Sequence, residues 1–237
     1  MSIILALDSS TDACSVALND NGRVIALFEH AAKSHTQRLL PMVDEVLQQA
    51  GFTLSQLDAI AFGRGPGSFT GLRICLGVVQ GLAFGAGVPV VPVSTLQSMA
   101  SAWFAAYQPL VDGQPLLVAL DARMNEVYWS LFAHQAGQVE PVSLTDEFVM
   151  APADVVRHPQ VLAGAAELTG IGPGWHYPEL AALAVNPVVE VWPDAASMAR
   201  LAAEKFRRGE WLDVLDAEPV YLRNEVSWQK RQRIRQS

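Results

Sequence analysis

The tripeptide Ala6-Leu7-Asp8 returns as Ala119-Leu120-Asp121, 113 positions later. At the same offset the apolar run Cys14 to Leu18 falls on Val127 to Leu131, and the turn glycine Gly22 has a near-counterpart in Gly137. Each half therefore opens with a strand ending in aspartate, a short polar turn, a returning strand and a glycine turn. That is one β-hairpin entry used twice, the mark of a duplicated unit. Alternating strand and helix patterns follow the hairpin, so the expected class is α/β, with two tandem lobes of mixed sheet flanked by helices and a cleft between them. Proline and glycine cluster between Pro109 and Pro115. The expected lobes are accordingly 1–108 and 109–237.

Local signals place the elements. Ser34 and Gln37 have capping-box spacing, and Leu39, Val43, Val46, Leu47 and Ala50 then share one helical face up to a stop at Gly51. Pro41 interrupts this pattern: either the helix kinks there or it begins there. Leu57 to Phe62 reads as a strand, and a glycine-rich loop from Gly63 to Gly71 follows it. The next helix, 72–85, is apolar nearly all round, with Gly77, Gly81 and Gly85 at every fourth place. Val88 to Val93 is strand-like, 95–107 is helical, and a later helix runs from an Asp194 cap to a stop at Gly209. Residues 74–93 are long and apolar enough for a bilayer, but Pro89 and Pro92 break them into a buried helix, a turn and a buried strand. No membrane span is expected.

Charge narrows the partners. The formal charge is −8, and Lys230, Arg231, Arg233 and Arg235 lie together near the C-terminus, which leaves −12 on the rest. An acidic body excludes strong nonspecific binding of nucleic acid or anionic membrane by the chain alone. The basic tail either solubilises or touches phosphate. Two cysteines in unrelated apolar settings, Cys14 and Cys75, give no disulfide framework, and the apolar start is too short for a secretory signal. A cytoplasmic protein is the expectation.

Tested against nucleotide and nucleophile motifs, the 63–71 loop fails each. It lacks the lysine of a P-loop, has Thr70 where a dinucleotide fingerprint needs its third glycine, and flanks Ser68 with Pro66 and Thr70 instead of glycines. It is either a tight strand-to-helix turn or one whose amides receive an anion. Five histidines, His30, His35, His134, His158 and His176, offer no helical ligand pair. Asp8 and Asp121 either flank a metal-nucleotide in the cleft or simply cap their own turns.

The hairpin Leu5 to Thr11 with its repeat resembles the actin, Hsp70 and sugar-kinase superfamily, whose lobes are actin-like (RNase H-like). More narrowly, Asp8 to Leu18, His35 to Pro41, Gly63 to Ile74, Asp121 to Tyr128 and Glu218 to Arg223 resemble the bacterial TsaB (YeaZ) family. That resemblance implies a degenerate paralogue of the catalytic subunit TsaD. It would act with TsaD and the ATPase subunit TsaE in moving threonylcarbamoyl onto adenosine 37 of ANN-reading tRNAs. It also implies a homodimer when the chain is alone, contact with tRNA only through the complex, and no cofactor. Where the catalytic paralogue has a metal-binding histidine pair, this chain has Thr95 and Met99, neither a substitute for imidazole. After Asp121, Arg123 and Met124 stand where active relatives have small residues. The expectation is a non-catalytic scaffold and activator, with an active ATPase or kinase as the alternative. Asp8, Ser9, Ser10, Thr11 and Asp121 would be remnants of a nucleotide site. The partner surface would lie on the first lobe at His35, Arg38, Leu40, Met42, Arg73, Gly77, Gln80 and Gly81; the rival is that these apolar residues are buried within the lobe.

Overall fold

The computed structural model of the chain describes residues 2–32, 34–106, 111–165, 168–183 and 191–223. Within them the sequence repeat is a structural repeat. β1 (Ile3–Asp8) and β2 (Ala13–Asp20) form the first hairpin, and β3 (Arg23–His30) extends it. The chain then runs through α1 (His35–Ala50), β4 (Ala59–Gly65), α2 (Phe69–Ala86), β5 (Val90–Ser94) and α3 (Thr95–Ala106). The first sheet has the order β3-β2-β1-β4-β5, with β1, β2 and β3 antiparallel and β4 and β5 joining in parallel. Tight turns suffice for the antiparallel members, whereas the parallel ones need crossover helices.

The second half begins again with β6 (Pro115–Arg123) and β7 (Glu126–Ala133), the latter lying 113 residues after β2 at both ends. β8 (Val142–Ser143), β9 (Phe148–Met150), α4 (Pro152–Arg157), α5 (Pro159–Gly164), β10 (Thr169–Ile171), α6 (Pro178–Ala181) and α7 (Ala195–Arg207) complete it. Its sheet runs β10-β6-β7-β8, with β9 also on β7.

The first sheet is built from strands within residues 3–94 and the second from strands within 115–171, but helices cross between the two halves in space. Leu96, Met99 and Ala100 of α3 pack with Leu116, Val118, Leu120 and Phe132 of the second sheet. Conversely, Met198, Leu201 and Ala202 of α7 cover Ile4, Ala6, Ala61 and Val91 of the first. Each sheet is thus closed by a helix from the other half of the chain. Polar links join the halves as well. Arg64 pairs with Glu147 at 3.1 Å, and the Ser94 hydroxyl donates to the same carboxylate. Lys205 and Arg208 reach Glu140 at 2.9 and 2.6 Å; burial works against its charge, but their hydrogen bonds hold this carboxyl below its usual range.

Several local expectations change. α1 continues through Pro41, which is exposed, so the helix does not begin there. Ser34 makes no capping bond; its hydroxyl donates to the Ala31 carbonyl instead. The stop at Gly51 is left-handed (φ 76°) as the sequence requires, and Asp194 caps α7 by accepting from the Ser197 amide at 2.8 Å. α2 is long and apolar enough to cross a membrane by length and composition alone, with a mean hydropathy of 1.4. Its one face packs on β4 and α1, while Phe69, Arg73, Gly77, Gly81, Phe84 and Gly85 are exposed, so the helix is not wholly buried within the lobe. Residues 230–235 lie outside the described residues.

Candidate functional site

The two hairpin turns face each other across a cleft of about 460 Å³, lined on one side by Ser10, Thr11 and Asp12 and on the other by Asp121, Arg123 and Met124. The first turn is sealed. Asp8 is 1% exposed and does not line the cleft. Its Oδ1 accepts from the Ser10 amide at 3.1 Å and hydroxyl at 3.0 Å, and its Oδ2 is buried without a partner. Burial, reinforced by the charge of Asp194, pushes the carboxyl up to about 7 despite the two Ser10 bonds. The charged form cannot recover in one serine what it loses in water.

The glycine-rich loop causes this sealing. A Cβ on Gly63 would fall on Asp8 Oδ2, and one on Gly71 would fall on the Ser9 carbonyl oxygen. Only glycine lets the loop close so tightly on the turn. Ser68 N then donates to the Ser10 carbonyl at 2.6 Å, Gly71 N to Ser68 Oγ at 3.3 Å, and Ser9 Oγ to the Gly71 carbonyl at 2.9 Å. The Ser68 and Gly71 amides are thus spent on the chain itself, as a tight strand-to-helix turn requires.

The second turn is open. Asp121 Oδ1 accepts from the Arg123 amide at 2.8 Å and the Tyr177 hydroxyl at 3.1 Å. Arg123, Met124 and Asn125 all have positive φ (61°, 56° and 60°), three non-glycine residues in the left-handed region in a row. That turn swings the Arg123 guanidinium over the cleft. It meets Asp121 Oδ2 at 3.0 Å and, from the first lobe, Asp12 Oδ2 at 3.6 Å. Arg223 closes the rim by donating to the Ala122 carbonyl at 3.2 Å and pairing with Glu126.

Of the five residues expected to mark a nucleotide site, Ser10, Thr11 and Asp121 line the cleft, whereas Asp8 and Ser9 are shut away. Thr95 and Met99 are both 0% exposed; Met99 belongs to the core of the second sheet, and Thr95 Oγ1 is buried without a partner. Among the described residues, no three of His, Cys, Asp and Glu converge on a common point. Burial raises both thiols, Cys14 to about 12 and Cys75 well above its usual value, which leaves both inert at neutral pH.

The expected partner surface divides too. Met42 is fully buried in the first core and His35 is buried at the start of α1, so neither belongs to a free surface. Both were misassigned because α1 packs a wider stripe than the a/d pattern alone implies. Leu40 is 47% exposed, and Arg38 pairs with Glu29. A Cβ built on Gly77, Gly81 or Gly85 meets nothing within 4 Å. Arg73 stacks on Phe69 at 3.6 Å and donates to the Tyr221 hydroxyl at 3.0 Å, while Gln80 donates to the Ala217 carbonyl at 3.4 Å. Residues 213–223 therefore form a strap along α2. Sequence reasoning noticed Glu218 to Arg223 as a motif, but not where it lies.

Two sheets opened by one repeated hairpin, each closed by a helix of the other half and facing a shared cleft, define an actin-like (RNase H-like) two-lobed α/β protein. The family described as "TsaD: tRNA N6-adenosine threonylcarbamoyltransferase" matches residues 28–172. The chain is 43% identical over 232 residues to the tRNA threonylcarbamoyladenosine biosynthesis protein TsaB of Escherichia coli, covering 96% of this chain and 97% of that one. It is 40% identical to the Haemophilus influenzae protein of the same name, with 96% of each covered. The solved structure "YeaZ from Pseudomonas aeruginosa" superposes with a TM-score of 0.82 at 43% identity, over 94% of this chain and 100% of that one. The chain belongs to the TsaB (YeaZ) family.

Proposed function

We propose that this chain serves tRNA threonylcarbamoyladenosine biosynthesis as a non-catalytic subunit, a scaffold and activator for the catalytic paralogue TsaD working with the ATPase subunit TsaE. The observation that carries the reading is the state of the two turns. One carboxylate is walled off by its own loop, and the other is neutralised by Arg123, which also reaches Asp12. A metal-bound phosphate needs free carboxylates, and a guanidinium held between two of them competes for that place electrostatically. The chain contributes a surface instead of a reaction. Exposed α2 offers Gly77 and Gly81 as a floor where another backbone can approach, and Phe84 of the same helix and Leu40 of α1 add exposed apolar surface on this lobe. A partner of the same fold could meet this face helix to helix, and two copies of the chain could pair through it in the partner's absence. It works in the cytoplasm, with tRNA bound through the assembled complex.

Reconstitution with the two partner subunits tests this. Gly81→Leu and Leu40→Asp lie at exposed positions, so both variants fold. Each is expected to lose partner binding and tRNA modification together, whereas Asp121→Ala keeps modification within about two-fold. ATP turnover by the chain alone that disappears in Asp121→Ala would favour the active ATPase or kinase instead.

A further inference from the structure

The exposed face of α2 carries opposite charges at its two ends. Toward the N-terminal end the Arg73 guanidinium lies 3.6 Å from the centre of the Phe69 ring, and its Nε donates to the Tyr221 hydroxyl at 3.0 Å. Among the described residues no carboxylate pairs with this guanidinium, and Phe69 and Tyr221 beside it are exposed. At the C-terminal end Phe84, Trp211, Leu215, Asp58 and Asp213 line a groove of about 590 Å³. Each carboxylate gives one oxygen to a backbone amide, Asp58 to Ile3 at 2.7 Å and Asp213 to Leu215 at 2.9 Å. Among the described residues no lysine or arginine pairs with either. Phe84 is 75% exposed and Leu215 81%, too open for a small cation to cover. They fit a broad apolar surface that brings its own positive charge.

Between the two ends lies bare backbone. Gly77 and Gly81 are exposed, and a Cβ built on either meets nothing within 4 Å, so a second helix can come close there. Charge decides its direction. Two copies of α2 laid parallel would set Arg73 against Arg73 and groove against groove. An antiparallel crossing, about a two-fold axis midway between Gly77 and Gly81, does the reverse. It lays Gly77 of one copy on Gly81 of the other, and position 73 against position 85, next to Phe84. Both outer positions lie six residues, about 9 Å, from that axis. Two-fold symmetry makes the contact twice.

We propose that a second copy of this chain docks on α2 antiparallel, about an axis between Gly77 and Gly81. Each copy places Arg73, with Phe69 and Tyr221, against the groove of Asp58, Asp213, Phe84 and Leu215 in the other. The docking rests on the assignment of the α2 face made above and adds its direction and charge. A partner of the same fold that replaces the second copy must then offer a cation to the groove and a carboxylate to Arg73.

Sedimentation equilibrium of the full-length chain tests the docking. The parent should dimerise. Arg73→Glu and Asp213→Lys, both at exposed positions, should each weaken the dimer about ten-fold, because like charges then meet at two symmetric places. An equimolar mixture of the two variants should recover the parent affinity within about three-fold, since each altered charge faces its opposite and the second contact is native. Asp213→Asn keeps the acceptor for the Leu215 amide and should weaken the dimer about three-fold, a check that stands even where the lysine variant fails to fold. A monomeric parent overturns the proposal. So do charge variants that dimerise like the parent, or a mixture of folded variants no tighter than either alone. Gly81→Leu separates the two readings. If it abolishes the dimer while the charge variants leave it unchanged, the α2 face stands and the antiparallel docking falls. A dimer that survives Gly81→Leu removes the face and the docking with it.

Discussion

β1 ends in Asp8 and β6 carries Asp121 near its end, 113 residues later, and the surrounding chain treats the two carboxylates in opposite ways. At Asp8 a glycine-rich loop closes over the turn until water is excluded, and the carboxyl is pushed up to about 7. At Asp121 three left-handed residues hold the turn open and supply an arginine as counter-charge. The duplicated hairpin has kept its pair of antiparallel strands but has slipped by one residue, since Asp8 faces Ser15 whereas Asp121 faces Val127 and not Tyr128. The turn chemistry was free to diverge, because it rests on a few contacts outside the ladder. Glycines that resemble a phosphate loop in sequence act here as the means of burying a turn.

The largest expected effect breaks the sealed turn. Gly71→Ala drives a methyl onto the Ser9 carbonyl, where backbone and not a flexible side chain must yield. It should cost about 3 kcal/mol or more in denaturant unfolding, or abolish folding. The same contrast should appear in pH dependence. Native Asp8 holds its proton up to about 7, whereas the unfolded carboxyl releases it near 3.8. The stability from this group is therefore fully present below about pH 4 and lost as pH rises through 7, a decline of roughly 4 kcal/mol. Unfolding measured across that range should show the slope, and Asp8→Asn should remove it. At the open turn the effects are small and of the other sign. Met124→Gly relieves a left-handed residue at 61% exposure and should stabilise by about 0.5–1 kcal/mol. Arg123→Ala, with its side chain 73% exposed, should change stability by less than about 0.5 kcal/mol.

Much of this frame was legible in the sequence, and the reason is periodicity. The 113-residue offset carries β2 onto β7 at both ends, and the stops at Gly51 and Gly209 follow from residue types that tolerate positive φ. What escaped is long-range. No pattern says that α7 returns to the first sheet while α3 covers the second, since both helices are apolar enough for either. Leu40 and Met42 read alike in sequence, yet one is exposed and the other buried, because the facing sheet decides how wide the buried stripe of α1 is. Asp8 and Asp121 read alike for the same reason: their environments come from Gly63, Gly71, Arg123 and Tyr177, and only folding brings those groups to them. The Ser34 capping box failed because the hydroxyl found the Ala31 carbonyl three residues back.

Carbon-detected NMR of the Asp8 carboxyl in the intact chain, followed through pH with and without millimolar Mg-ATP, tests the sealed turn most directly. A midpoint near 7, the same in both titrations, is the predicted result. A midpoint near the ordinary aspartate value, or one that moves when the nucleotide is added, would mean that Asp8 is open to the cleft and would contradict the account.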